Sequence, residues 1–178
     1  MALATVVNNN TQIGGNGVWT DPNGHPPYNF ATSCHFATCY WAFLDEFGRV
    51  PTQAELLKIG SAQTFISGLL PHATRLNRPG AGSLMLTQGS ALLFVDGNVA
   101  GHSCIATAAQ TVAGYNQMGW YTLGGVDHGF STHTTNMLMW GAGGNASRVR
   151  RTQSAGWYEL YSLPEAVLRA SVRGKVQG

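Results

Sequence analysis

Charge is what this chain has least of. Asp, Glu, Lys and Arg make up 10% of its 178 residues, against roughly 25% in an ordinary globular protein. A surface so poor in ions must be wetted by Asn, Gln, Ser and Thr, and a polyelectrolyte role is excluded. Long apolar runs are missing too. Nowhere do the roughly eighteen consecutive apolar residues of a membrane span occur, and Met1 to Val18 has neither the basic start nor the apolar stretch of a signal peptide. The expectation is a soluble chain with no signal peptide and no membrane span, whose export would need a route that reads no conventional signal. Cysteine is limited to Cys34, Cys39 and Cys104, an odd number with no Cys-x-x-Cys pair, so a disulfide scaffold is not expected and the thiols read as reduced. No glycine-rich turn opens a helix with a Lys-Ser/Thr or a later acidic partner, which leaves nucleotide binding unsupported and no cofactor expected.

The length suits one domain, residues 1–178. The net charge of +2 conceals an uneven distribution: residues 1–144 hold four basic and six acidic side chains, whereas 145–178 hold six basic and two acidic ones. The basic tail, 164–178 together with Arg148, Arg150 and Arg151, reads as solvated charge on a short helix and an edge strand, and no nucleic-acid partner is expected.

Glycine, at 23 residues, is abundant, and residues 1–28, with Asn8-Asn9-Asn10, Gly14-Gly15-Asn16-Gly17 and Asp21-Pro22-Asn23-Gly24, carry turn chemistry and read as an irregular N-terminal arm. From Ser33 the pattern changes. Phe36, Tyr40, Phe43, Leu44 and Phe47 recur at three- and four-residue intervals up to Gly48, predicting a core helix. Thr52-Gln53-Ala54-Glu55 has the form of a capping box and opens a second helix over about 53–67, with Gly60 as a point of interruption. Short apolar runs bounded by Gly or Asp predict strands at 84–86, 91–95, 102–108, 112–123, 134–140, 147–153 and 156–162, and Pro164 opens a last helix over 164–172. Helices followed by neighbouring strands point to an α+β domain with an antiparallel sheet.

Two residues carry the chemistry. Cys34 stands at the first turn of the core helix, where the macrodipole favours a thiolate and the backbone N–H groups have no partner within the helix. His102, in Gly101-His102-Ser103-Cys104, sits in an apolar strand from which a neutral imidazole can take the thiol proton. Asn116, fourteen residues on, is placed to accept the other ring N–H and fix the tautomer. Asn29 and Tyr28, just upstream of the nucleophile, are candidates for the oxyanion alongside the Cys34 amide. The set reads as a covalent thiol hydrolase acting on an amide.

This order of parts resembles the papain-like cysteine hydrolases in the broad sense, including the NlpC/P60 and related bacterial effector branches. The matching features are a nucleophile opening a core helix, Leu86-Thr87-Gln88-Gly89-Ser90-Ala91-Leu92-Leu93-Phe94-Val95 as the strand before the base, and Gly101-His102 on the next strand. A polar residue, Asn116, then follows. The resemblance covers about residues 29–121 and implies a papain-like fold with N-terminal helices packed on an antiparallel sheet. It implies a peptidase, cell-wall amidase or glutamine deamidase, with a host protein or peptidoglycan peptide as substrate. It also suits a bacterial toxin or effector with a cognate inhibitor or a delivery partner.

Three rivals accompany this reading. Cys39-Tyr40-Trp41-Ala42-Phe43 is similar to the Cys-Trp-Ala-Phe run of papain proteases with one residue inserted, which makes Cys39 a second nucleophile, although its amide is bound within the helix. Asp127, beside His128, competes with Asn116 as the orienting group. From another class, Cys34, Cys39, His102 and Cys104 offer four ligands for a structural zinc in a non-catalytic binding module, at spacings wider than zinc knuckles use. His128 and His133 lie in a Gly/Ser/Thr loop that reads as a polar turn or a cleft wall, and Trp120, Trp140 and Trp157 read as core or cleft-wall aromatics.

Overall fold

A computed structural model describes residues 2–10, 18–19, 28–29, 34–76, 84–115, 130–134 and 159–178. Helix α1 (Leu3–Asn9) is followed by a two-stranded antiparallel ribbon, β1 (Val18–Trp19) with β2 (Tyr28–Asn29). Then come α2 (Cys34–Phe47), α3 (Gln53–Ile59), α4 (Ala62–Gly68) and a 3-10 turn at Leu70–His72. The strands β3 (Thr74–Leu76), β4 (Ala91–Asp96), β5 (Val99–Ala108), β6 (Thr111–Tyr115), β7 (Phe130–Thr134) and β8 (Glu159–Leu163) form one sheet in the order β3-β8-β4-β5-β6-β7, antiparallel throughout. Helix α5 (Glu165–Gln177) ends the chain. The fold is α+β, with helices packed on an antiparallel sheet.

The helix boundaries have local causes. Gly48 takes φ +66, a left-handed conformation that ends α2 at little steric cost. The Thr52 hydroxyl accepts the Glu55 N–H while the Glu55 carboxylate accepts the Thr52 N–H, a closed capping box. Gly60, at φ +68, breaks the expected 53–67 helix into α3 and α4, and the Ser61 side chain caps α4.

The irregular-arm expectation fails at its start. Residues 3–9 are helical, and Leu3, Ala4, Val6 and Val7 are buried against the main core. Leu3, Val6 and Val7 share one helical face, and their burial outweighs the poor helix propensity of the Asn residues that follow. Leu84–Leu86 is not a strand; Leu84 and Leu86 are nonetheless buried, and the Leu86 N–H donates to the Ala109 carbonyl. The expected strand at 147–153, all but Thr134 of the one at 134–140, and the outer part of 112–123 lie outside the described residues.

The sheet has two buried faces. Leu93, Val95, Ile105, Ala113 and Tyr115 join the core under the helices, whereas Leu92, Phe94, Cys104, Ala106, Val112 and Leu160 form a second cluster with Leu84 and Leu86 on the far side. Helices α1, α2 and α4 all rest on β5. A bulge between Phe94 and Val95 pairs Phe94 with His102 and Val95 with Ala100, so that Gly101 is the extra residue.

The C-terminal basic segment is not free charge. Arg169 meets Asp45 at 3.3 Å, Glu46 at 3.0 Å and Glu165 at 3.7 Å, and Arg173 meets Glu46 at 2.6 Å, so both arginines of α5 reach the end of α2. Its apolar face buries Leu168, Val172 and Val176. Arg148, Arg150 and Arg151 lie outside the described residues.

Gly89 is held more tightly than a turn alone requires. It has φ +87, and a Cβ there would strike the carboxylate of Glu165, which also accepts the Leu3 N–H at 3.2 Å. Gly89→Ala is therefore expected to destabilise the fold by about 1–3 kcal/mol, through backbone strain and displacement of Glu165. Urea titration followed by circular dichroism measures it, and an unchanged midpoint contradicts the assignment.

Candidate active site

The first turn of α2 delivers Cys34 to β5. The backbone N–H groups of Ser103, His35 and Cys34 itself favour the thiolate, but burial outweighs them and pushes the thiol up to about 11. Cys34 is therefore a neutral thiol at rest. What surrounds it is a set of amides at a helix start, the arrangement that receives a negative charge once one forms.

His35 follows Cys34 and is 5% exposed. Its Nδ1 lies 2.9 Å from the Ser103 hydroxyl, which in turn lies 3.0 Å from the Thr38 hydroxyl. Thr38 donates to the Cys34 carbonyl at 3.1 Å. Burial lowers the imidazole to about 4, against a smaller upward pull from the carbonyls of Ala100 and Gly101. Those carbonyls approach the ring without closing a hydrogen bond, and Nε2 has no partner. His35 is thus neutral at pH 7. Ser103 is the junction of the cluster, its amide beside the sulfur and its hydroxyl on the imidazole.

His102 is not part of this cluster. Side chains alternate along a strand, and Ser103 faces α2, so His102 faces away. It is fully buried, opposite Phe94 and with ring centroids 5.4 Å apart, on the side of the sheet that carries the second apolar cluster. His102 and the Ser103 hydroxyl thus stand on opposite faces of β5. Asn116 and Asp127 lie outside the described residues, as do the side chains of Tyr28 and Asn29, whose backbones form β2.

Cys39 does not compete with Cys34. It is completely buried among the core residues of α2, and desolvation raises its thiol far above the usual range. Cys104 is likewise raised by burial, on the far face. Cys39 and Cys104 lie in the two separate apolar clusters on opposite sides of the sheet, so the four ligands of the zinc alternative do not converge. Among the described residues no three His, Cys, Asp or Glu side chains gather as a metal site. No helix among those residues is long and apolar enough to cross a membrane.

His35 is a member of this hydrogen-bonded cluster that sequence reasoning did not single out. Its signal was adjacency to Cys34 together with a serine next to His102, but choosing between the two histidines required knowing which face of β5 meets α2. No protein-family model matches the chain, and no curated protein or solved structure matches it significantly.

Proposed function

We propose that the chain is a thiol hydrolase acting on an amide, with Cys34 as nucleophile and His35 as the base. The observation that carries this reading is the double contact of Ser103, which ties the sulfur and the imidazole to one residue of β5. In the reaction, Nε2 of His35 takes the thiol proton as sulfur attacks the carbonyl carbon. The C–S bond forms, and the carbonyl pair moves onto oxygen beside the amides of Cys34 and Ser103. Breakage of the C–N bond expels the amine, which leaves with the proton from Nε2. Water then attacks the thioester and gives a proton to Nε2. The C–S bond breaks, the acid departs and the thiol regains its proton.

The resemblance to papain-like and NlpC/P60 hydrolases keeps its nucleophile in this proposal and exchanges its base, with Ser103 orienting the ring in place of Asn116. Peptide bonds, cell-wall peptides and glutamine side chains are the amide classes that such a site takes. Delivery to a target cell as a toxin or effector belongs to the same analogy.

Burial favours a second reading. His35, Thr38 and Ser103 are each at most 5% exposed, which suits a hydrogen-bonded clasp that holds α2 on β5 and does no chemistry. Incubation with peptide, muropeptide and glutamine-containing protein substrates, followed by intact mass measurement, separates the two. The hydrolase leaves an acyl adduct on Cys34 that Cys34→Ala abolishes. A complete lack of adduct and turnover, or turnover that survives Cys34→Ala, favours the clasp.

A further inference from the structure

We propose that Thr38 is a positioning residue that sets the tautomer of His35 through Ser103. Thr38, Ser103 and the His35 ring make three short polar contacts in series: Thr38 Oγ1 to the Cys34 carbonyl at 3.1 Å, Ser103 Oγ to Thr38 Oγ1 at 3.0 Å, and His35 Nδ1 to Ser103 Oγ at 2.9 Å. A carbonyl only accepts, so the Thr38 proton is committed to Cys34. The contact between the two hydroxyls must then be filled by the Ser103 proton. Ser103 has no second proton to give, and the contact with the ring is filled by Nδ1–H. The series runs one way, from the ring to the Cys34 carbonyl.

The consequence falls on Nε2. A neutral imidazole carries one N–H, and with that hydrogen on Nδ1 the lone pair is on Nε2, the nitrogen that has no partner. Among the described residues, the Ser103 hydroxyl meets the ring and the Ala100 and Gly101 carbonyls of β5 lie near it. Thr38 thus acts two contacts away from the nitrogen it controls. Without its hydroxyl, the Ser103 proton has no oxygen to turn to and swings onto Nδ1, which forces the ring hydrogen to Nε2 and removes the free base.

That Nε2 serves Cys34 rests on the thiol-hydrolase reading, whereas the tautomer itself does not. Long-range 1H–15N correlation spectra of the full chain with 15N-labelled histidine, assigned against His35→Gln, read the tautomer directly. At pH 7 the wild-type ring is expected as Nδ1–H. Thr38→Val, which keeps the shape and removes the hydroxyl, is expected to convert it to Nε2–H, while Thr38→Ser retains Nδ1–H. Alkylation of Cys34 by iodoacetamide should fall at least about tenfold in Thr38→Val and recover in Thr38→Ser.

A wild-type ring protonated on Nε2 overturns the proposal, and so does a Thr38→Val ring that stays Nδ1–H. The wild-type and Thr38→Ser spectra decide the matter even where Thr38→Val does not fold. If the tautomer follows Thr38 while Cys34 alkylation ignores His35→Gln, the positioning stands and the hydrolase reading fails. If alkylation depends on His35 while the tautomer ignores Thr38, the reverse holds.

Discussion

Trp41→Ala is expected to bring the domain close to unfolding at room temperature. Trp41 is fully buried on α2, with ring centroids 5.9 Å from Tyr115 of β6 and 6.1 Å from Phe130 of β7, and its Nε1–H donates to the Asn10 carbonyl at 2.9 Å. One side chain therefore joins the end of α1, the central helix and the outer strands of the sheet. Removing an indole from such a site costs about 3–5 kcal/mol, a large part of the roughly 5–15 kcal/mol that holds a domain of this size together. Trp41→Phe keeps a ring among the aromatics but leaves the Asn10 carbonyl without its donor, a loss of about 1 kcal/mol beyond the packing change. Urea unfolding followed by far-ultraviolet circular dichroism should place the two variants in that order. Hydrogen exchange should show Trp41→Phe loosening α1 before the sheet. Equal midpoints for Trp41→Ala and the parent would contradict the role assigned to this residue.

The legible parts of the fold were those in which one local pattern decided the outcome. The spacing from Phe36 to Phe47, ended by Gly48, specifies α2, and Thr52 with Glu55 specifies where α3 begins. Helix α1 was obscured because its apolar residues run directly into three asparagines, and a seven-residue helix owes its stability to packing. The histidine beside α2 turned on a question of parity. β5 is buried on both faces from His102 to Ala106, with one polar residue, His102 or Ser103, on each, so no alternation of polar and apolar residues shows which side meets α2. The bulge at Gly101 then shifts the count by one relative to β4. The place of Cys34 at the opening of α2 was readable because a helix start is a local feature. Which residues of β5 meet α2 was not, because that depends on how one strand turns against another element.

The same burial that hides the site supplies its sharpest kinetic prediction. A thiol pushed up to about 11 is ionised to only about one part in ten thousand at pH 7, so a cysteine acting alone reacts in proportion to hydroxide. His35, lowered to about 4, is neutral across the whole range above that value and can take the proton within the encounter. The rate of Cys34 alkylation in the parent protein is therefore expected to rise as pH passes 4 and then to stay flat until the thiol itself ionises. In His35→Ala it should instead climb about tenfold per pH unit, as the thiolate fraction does, and lie about 10²–10⁴-fold lower at pH 7. Stability carries the same signature with its own sign. The folded-state imidazole sits below the unfolded value of 6.5, so its contribution is complete above 6.5 and is lost as pH falls toward 4. The thiol is raised from 9.0, so its contribution is complete below 9.0 and is lost as pH climbs toward 11. His35→Gln should flatten the first limb and leave the second. Glu55, lowered to about 2 by Arg49 and the Thr52 cap, titrates below both windows and does not blur them. A parent protein whose alkylation rate already climbs tenfold per unit from pH 5 to 9 has no working base at Cys34. The buried cluster then serves only to hold α2 on β5.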